Sequence, residues 1–165
     1  MKVRSTAQGR KPLQLNHHFV FVEAPVSIVA PEAEIWGEGA WWPQNTEVKI
    51  TRITDGGMTV GTRYRHAVNK PFVKDWVSEV TKYVPGALVE RTFQDGILEG
   101  FELIKIEERS NGTRVDYELH YRVNGLFKQL LWRLIYQRKH DENIKKILEA
   151  MKNHCLQQYQ QMREM

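Results

Sequence analysis

The sequence predicts an α+β domain in which a curved antiparallel sheet of about seven strands wraps around one long C-terminal helix, with two short helices after the first strand. Three observations carry this expectation. The segment NGLFKQLLWRLIYQRKHDENIKKILEAMKNHCLQQYQQM, residues 124–162, is the longest stretch with helical periodicity. Residues 46–122 alternate between strand-like runs and tight-turn signals. The stretch LNHHFVFVEAP, residues 15–25, alternates around Phe19 to Val22 and ends in a proline, which makes it a first strand.

Each element follows from its residues. After the first strand, VSIVAPEAEIWGEGAWWPQNT is broken by Pro31, Gly37, Gly39 and Pro43, so two short helical pieces fit better than one long helix. The hairpin signals are Asp55-Gly56, Pro85-Gly86 and Asn111-Gly112, each flanked by β-branched and aromatic residues. Short loops between successive strands make neighbours antiparallel, and a meander of about six strands results. In the long helix, Leu130, Leu131, Leu134, Ile144, Ile147, Leu148, Met151, Cys155 and Tyr159 recur at spacings of three and four, giving one apolar stripe. The polar run QRKHDEN, residues 137–143, interrupts that stripe and predicts a bend or an exposed middle.

The chain has 165 residues, 41% of them hydrophobic, enough for one domain with its own core. We read residues 14–160 as that domain and residues 1–13 as a flexible basic tail carrying Lys2, Arg4, Arg10 and Lys11. With 24 Lys plus Arg against 20 Asp plus Glu, the net charge of +4 is mild and dispersed, so no nucleic-acid partner is expected. No apolar run has the length of a transmembrane segment, although transient membrane contact stays open. No export signal is visible and the single cysteine, Cys155, sits on the helical stripe as a packing residue, so a cytoplasmic location is expected.

A helix of this apolarity has to be covered, and an antiparallel sheet offers one face to cover it. In VDYELHYR, residues 115–122, Val115, Tyr117, Leu119 and Tyr121 share the face toward the helix, while Asp116, Glu118, His120 and Arg122 share the other. Inward tyrosine hydroxyls require partners: either a cavity between sheet and helix supplies them as water or ligand, or both tyrosines reach the rim and their hydroxyls meet bulk water. In KPFVKDWVSEV, Trp76 and Ser78 are placed inward, because inward Asp75 or Glu79 would be costly without a partner. For Thr62, Tyr64 and His66 against Arg63, Arg65 and Ala67 the alternation alone leaves both faces open, since a one-residue bulge exchanges the sets.

The order of these elements resembles the START-like superfamily, also called the helix-grip or Bet v 1-like fold, and within it the polyketide cyclase/dehydrase and lipid-transport type. The resemblance covers about residues 15–158. It rests on Ala24-Pro25 entering the first helix, on Trp41, Trp42 and Pro43 before the second strand, on Gly61 in DGGMTVGTRYR, on Gly112-Thr113-Arg114, and on Gly125 before the closing helix. It implies a ligand cavity between sheet and helix. The fold hosts carriers, hormone binders and cyclases alike, so function has to be argued from the site.

Catalytic sequence motifs are absent, and the six histidines lack metal-ligand spacing, so neither metal nor cofactor is expected. His17 and His18 point to opposite faces of one strand. With His66 they are the candidate bases for a cyclase or dehydratase, a tyrosine or arginine then stabilising an enolate oxygen. Arg63, Arg65, Arg91 and Arg114 alternate on strands, and Arg63 with Arg65 predicts a basic strip on the outer surface.

The leading expectation is a protein that binds or carries an apolar or amphipathic small molecule, such as a lipid, isoprenoid or aromatic polyketide. Its wall would be Phe19 or Val20, Trp76, Ser78, Val115, Tyr117, Leu119 and Tyr121, faced by Leu130, Leu131, Leu134 and Leu148 of the helix. An enzyme of the cyclase or dehydratase type using the same cavity is the alternative; a titratable side chain opposite a tyrosine would favour it. A protein-interaction module is the third reading, with the glutamine-rich end CLQQYQQMREM meeting a partner; an exposed patch of Trp36, Trp41 and Trp42 would support it, whereas the favoured place for these tryptophans is closing the core.

Overall fold

The computed structural model describes residues 12–68 and 74–165, and of Phe127 and Leu131 the backbone alone. Most of the basic tail expected over residues 1–13, residues 1–11, lies outside the described residues. Seven strands form one antiparallel sheet: β1 Gln14–Val22, β2 Val48–Arg52, β3 Arg63–Val68, β4 Trp76–Val84, β5 Leu88–Phe93, β6 Leu98–Arg109 and β7 Gly112–Val123. Their spatial order is β1-β7-β6-β5-β4-β3-β2, a meander with β1 closing against its last strand. Helix α1, Val26–Glu34, follows β1, and the C-terminal helical segment lies across the concave face.

Where a second short helix was expected, residues 35–45 are a series of turns. Gly37 takes a φ of 93°, and a Cβ there would lie 2.6 Å from that of Ile50, so the chain folds back against β2 instead of winding on. The three tryptophans of this segment are packed: Trp36 is 1% and Trp41 8% exposed, and Trp42 is half-buried. They close one end of the core, the favoured of the two places the sequence offered them, and form no exposed patch.

The hairpins at Pro85-Gly86 and Asn111-Gly112 are tight, whereas β2 and β3 are joined by residues 53–62. That longer loop is held to β4, with Gly61 donating to the Val80 carbonyl at 2.8 Å and Val80 donating to that of Thr62 at 2.8 Å.

The long helix departs from a single regular rod. It starts as α2, Leu126–Leu131, passes through a π-helical turn, Trp132–Tyr136, and continues as α3, Gln137–Glu164. The irregularity thus precedes the polar run that predicted it. An inserted residue in a π turn rotates everything beyond it relative to an α-helical projection. Ile144, Ile147, Leu148, Met151 and Cys155 pack into the core, and burial pushes the Cys155 thiol up to about 12. No helix among the described residues is long and apolar enough to cross a membrane, which says nothing of strands.

Strand alternation then sets the two faces of the sheet. On β7, Val115, Tyr117, Leu119 and Tyr121 are all buried, at 0%, 3%, 1% and 2% exposure, under the helix. On β3 it is Thr62, Tyr64 and His66 that turn inward, while Arg63 and Arg65 are exposed. Asp75 faces out and accepts from Arg65 Nε at 2.9 Å. One glycine is required by this geometry. Gly100 on β6 has φ 140°, and a Cβ there would sit 1.9 Å from the His120 carbonyl oxygen on β7. Gly100→Ala is therefore expected to cost about 2–3 kcal/mol, read as a lowered thermal unfolding midpoint; an unchanged midpoint would show that β7 can yield.

Candidate functional site

Between the concave sheet and the helix lies a cavity of about 130 Å³. Its floor comes from strands: Val48 and Ile50 on β2, His66 and Val68 on β3, Trp76 on β4, Phe93 on β5, Leu98 and Glu102 on β6, Tyr117 and Leu119 on β7. The roof is Trp132 and Tyr136 of the π turn with His140, Ile144 and Ile147 of α3, and Trp36 and Trp42 stand at one end. Most of this surface is apolar or aromatic. Among the polar groups, Glu102, Tyr117 and His66 are buried, and Thr46, Glu47, His140 and Asn143 are half-buried, so a few polar positions can orient a ligand held mainly by apolar contact.

The central polar feature is a buried charge pair. Arg91 on β5 and Glu102 on β6 are directly opposed in the sheet register, and both side chains point inward. Arg91 is fully buried, donates from Nη1 to the Trp36 carbonyl at 3.0 Å, and reaches Glu102 Oε1 at 3.5 Å. Its guanidinium lies 4.0 Å from the centre of the Tyr64 ring, a cation–π contact that supplies part of what water no longer does. Glu102 also accepts from the Tyr117 hydroxyl at 3.2 Å. Burial raises the Glu102 carboxyl above its ordinary range, with Arg91 and the hydroxyl bond opposing. Burial, then the adjacent carboxylate, raises the Tyr117 phenol.

Two histidines face this pair. His66 stacks on Trp76 at 5.1 Å and 11°, and its Nε2 makes a 2.8 Å hydrogen bond with Ser78 Oγ. Burial, helped by the Arg91 charge, lowers its pKa to about 3. His140 on α3 lies beside the rings of Tyr117, at 6.1 Å, and Trp132, at 6.0 Å. Its Nε2 is shut off from solvent and finds no hydrogen-bond partner among the described residues. Burial lowers it to about 4, with Asp141 opposing and His18 assisting. Both imidazoles are neutral near pH 7 and each can donate or accept one hydrogen bond.

Among the residues expected at the site, Trp76, Tyr117 and Leu119 line the cavity, as does His66. Ser78 is buried behind His66, while Val115 and Tyr121 belong to the surrounding core. Phe19 is a correction. It is 56% exposed on the outer face of β1 under the Arg114 guanidinium, and its neighbour Val20 turns inward. Leu130 and Leu134 are also corrected, at 54% and 70% exposure; Trp132 and Tyr136 of the π turn take their place above the cavity. The side chain of Leu131 lies outside the described residues, and Leu148 packs in the core.

The two N-terminal histidines serve elsewhere. His17 bonds Asp116 on the outer face at 2.6 Å, and His18 reaches Asp141 at 3.2 Å, tying β1 to α3. Neither lines the cavity. Arg91, expected with the strand arginines as an open question of facing, is the one turned inward; Glu102 and His140 were not anticipated as site residues.

No protein-family profile matches the chain, and no curated protein does. Solved structures do match. A protein of Thermus thermophilus superposes with a TM-score of 0.67 at 20% identity, covering 87% of this chain and 97% of that one. Thalictrum flavum norcoclaurine synthase, solved in complex with dopamine and hydroxybenzaldehyde, gives 0.64 at 16% identity, over 88% of this chain and 87% of the other. The Zhui aromatase/cyclase of Streptomyces sp. R1128 gives 0.60 at 14%, over 87% and 93%. Seven antiparallel strands curled about a long C-terminal helix, shared with these structures across nearly their whole length, give this chain a helix-grip fold.

Proposed function

We propose that this protein binds an amphipathic small molecule about the size of one aromatic ring, its apolar body against Trp76, Phe93, Leu119 and Ile147 and its polar end toward Glu102, Tyr117 and His140. The observation that carries the reading is the cavity itself: about 130 Å³, apolar over most of its wall, with a carboxyl group and an unpaired imidazole nitrogen inside. An apolar protein cavity of about 150 Å³ takes up benzene, so a ring of that size is accommodated and an extended lipid chain is not, unless the walls move. The ring compounds bound by the Thalictrum enzyme support the same size class. Affinity comes from apolar area withdrawn from water, at about 25 cal/mol per Å², and direction from the hydrogen bonds.

Native mass spectrometry of freshly purified protein, followed by calorimetric titration with substituted phenols and benzaldehydes, tests this. A ring compound is expected to bind at micromolar concentration. Ile147→Trp, which fills the cavity, is expected to abolish binding, and Tyr117→Ala to weaken it at least tenfold more than Glu118→Ala on the outer face. Equal binding by all three variants would remove the cavity from consideration.

A second reading rests on one observation, the raised Glu102 carboxyl hydrogen-bonded to Tyr117 inside the cavity. A carboxylate held there can take a proton from carbon or oxygen, with the Tyr117 hydroxyl or neutral His140 donating a hydrogen bond to the developing oxyanion, which is the chemistry of a cyclase or dehydratase. Glu102→Gln keeps the shape and the acceptor for Tyr117 but removes the titration. Retained binding with lost turnover would assign catalysis; no turnover by either form would leave a binding protein.

A further inference from the structure

The segment that roofs the cavity has an outer side that nothing among the described residues covers. Leu126, Leu130 and Leu134, four residues apart, are 82%, 54% and 70% exposed, and Ile135 is 45% exposed. A shallow groove beside them takes in Leu13, itself 39% exposed. Leucines standing out of a helix at this spacing cost solubility and add nothing to the fold.

Charge identifies what suits the surface. From residue 124 to residue 140 the chain has no acidic residue and carries Lys128, Arg133, Arg138 and Lys139. Lys128 and Arg133 are exposed, and neither makes an ion pair among the described residues. Among the described residues Arg138 pairs with exposed Glu142 at 3.0 Å and Lys139 with half-buried Glu47 at 3.7 Å. The groove begins at Pro12, and the eleven residues before it in the sequence include Lys2, Arg4, Arg10 and Lys11 and no acid. Protruding leucines among cations, without acids, match the boundary between acyl chains and anionic headgroups.

We propose that this face docks onto anionic lipid bilayers, with Leu126, Leu130, Leu134 and Ile135 entering the acyl boundary and Lys128 and Arg133 meeting the headgroups. The surface lies directly outside Trp132 and Tyr136, which line the cavity, so docking places the ligand's roof against the membrane. This inference does not depend on the identity of the ligand or on catalysis.

The experiment is co-sedimentation of the full chain with vesicles of phosphatidylcholine alone or mixed with phosphatidylglycerol. Binding to the mixed vesicles is expected to exceed binding to the neutral ones at least tenfold and to fall with added salt. Leu130→Glu/Leu134→Glu and Lys128→Glu/Arg133→Glu are each expected to lower it at least tenfold. These positions are exposed, so unchanged circular dichroism and unfolding midpoints are expected to confirm intact folding. Ile147→Trp is expected to keep vesicle binding while losing the ring compound, so the two proposals fail separately. No binding to mixed vesicles, or equal binding by wild type and the leucine variant, overturns docking. A concentration-dependent dimer in sedimentation velocity, broken by Leu130→Glu/Leu134→Glu in a protein that ignores vesicles, overturns it in favour of a second copy as the occupant.

Discussion

Arg91→Met is expected to lower the unfolding free energy by about 3–5 kcal/mol at neutral pH, the usual cost of stranding one partner of a buried ion pair. Glu102 would then keep only the Tyr117 hydroxyl, which cannot balance a carboxylate shielded from water. Methionine preserves much of the aliphatic volume and can lay its thioether near the Tyr64 ring, so packing loss is a minor part of the effect, while the cation–π contact is lost with the charge. Arg91→Met/Glu102→Gln is expected to recover most of the stability, because an amide accepts from Tyr117 without carrying charge. The pH dependence separates electrostatics from packing. Glu102 has a raised folded-state pKa, so its favourable contribution is full below its unfolded value and is lost as pH rises through the folded one. Without Arg91 that pKa rises further, and the deficit of Arg91→Met is expected to shrink toward pH 4. Urea unfolding of the three proteins at two pH values checks this. A deficit that is the same at both, and that the double variant does not repair, would make Arg91 a packing residue.

How much of this was legible beforehand differs between fold and site. Hairpin turns and strict alternation in residues 115–122 were enough to order the strands and to put Tyr117 and Leu119 under the helix, because a two-residue period admits only two faces. Glu102 was legible in principle. It shares parity with Leu98, Ile104 and Ile106, and Arg91 shares parity with Val89 and Phe93. Each charge alone looks like an argument against the inward face, and only the cross-strand register that opposes them turns two costs into one pair. His140 was hidden for a different reason. It sits in a polar run, and its inward facing follows from the π turn at Trp132–Tyr136, which shifts the stripe away from Leu130 and Leu134. A local change of helical pitch leaves no mark in a periodicity computed for 3.6 residues per turn.

That turn also explains why binding surface and roof coincide. With a regular helix, Leu130 and Leu134 would have continued the buried stripe; as it is, they stand outside and two aromatic side chains with His140 stand within. The roof therefore owes its one imidazole, His140, to the element that frees the leucines.

Acidification from about pH 7.5 to about pH 5 is expected to destabilise the wild-type protein, chiefly through His66 and His140. Their folded-state pKa values of about 3 and about 4 lie below the ordinary 6.5. The unfolded chain takes up protons as pH falls through 6.5 and the folded protein does not, so stability is full above that value and is lost progressively below it. At pH 5 the unfolded state has gained 1.5 units at 1.36 kcal/mol each, about 2 kcal/mol per histidine. Glu102 works in the opposite direction, since acid removes a charge that burial disfavours, and it trims the total. His140→Phe isolates one contribution: its ring fits beside Tyr117 and Trp132, it strands no partner, and the pH-dependent loss is expected to shrink by about 2 kcal/mol. His66→Phe would leave Ser78 without its hydrogen bond and is the less clean variant. Urea titrations of wild type and His140→Phe at both pH values decide the matter. Identical pH dependence in the two proteins would mean that the His140 imidazole meets water, and the polar end of the proposed ligand would then have to be assigned to Glu102 and Tyr117 alone.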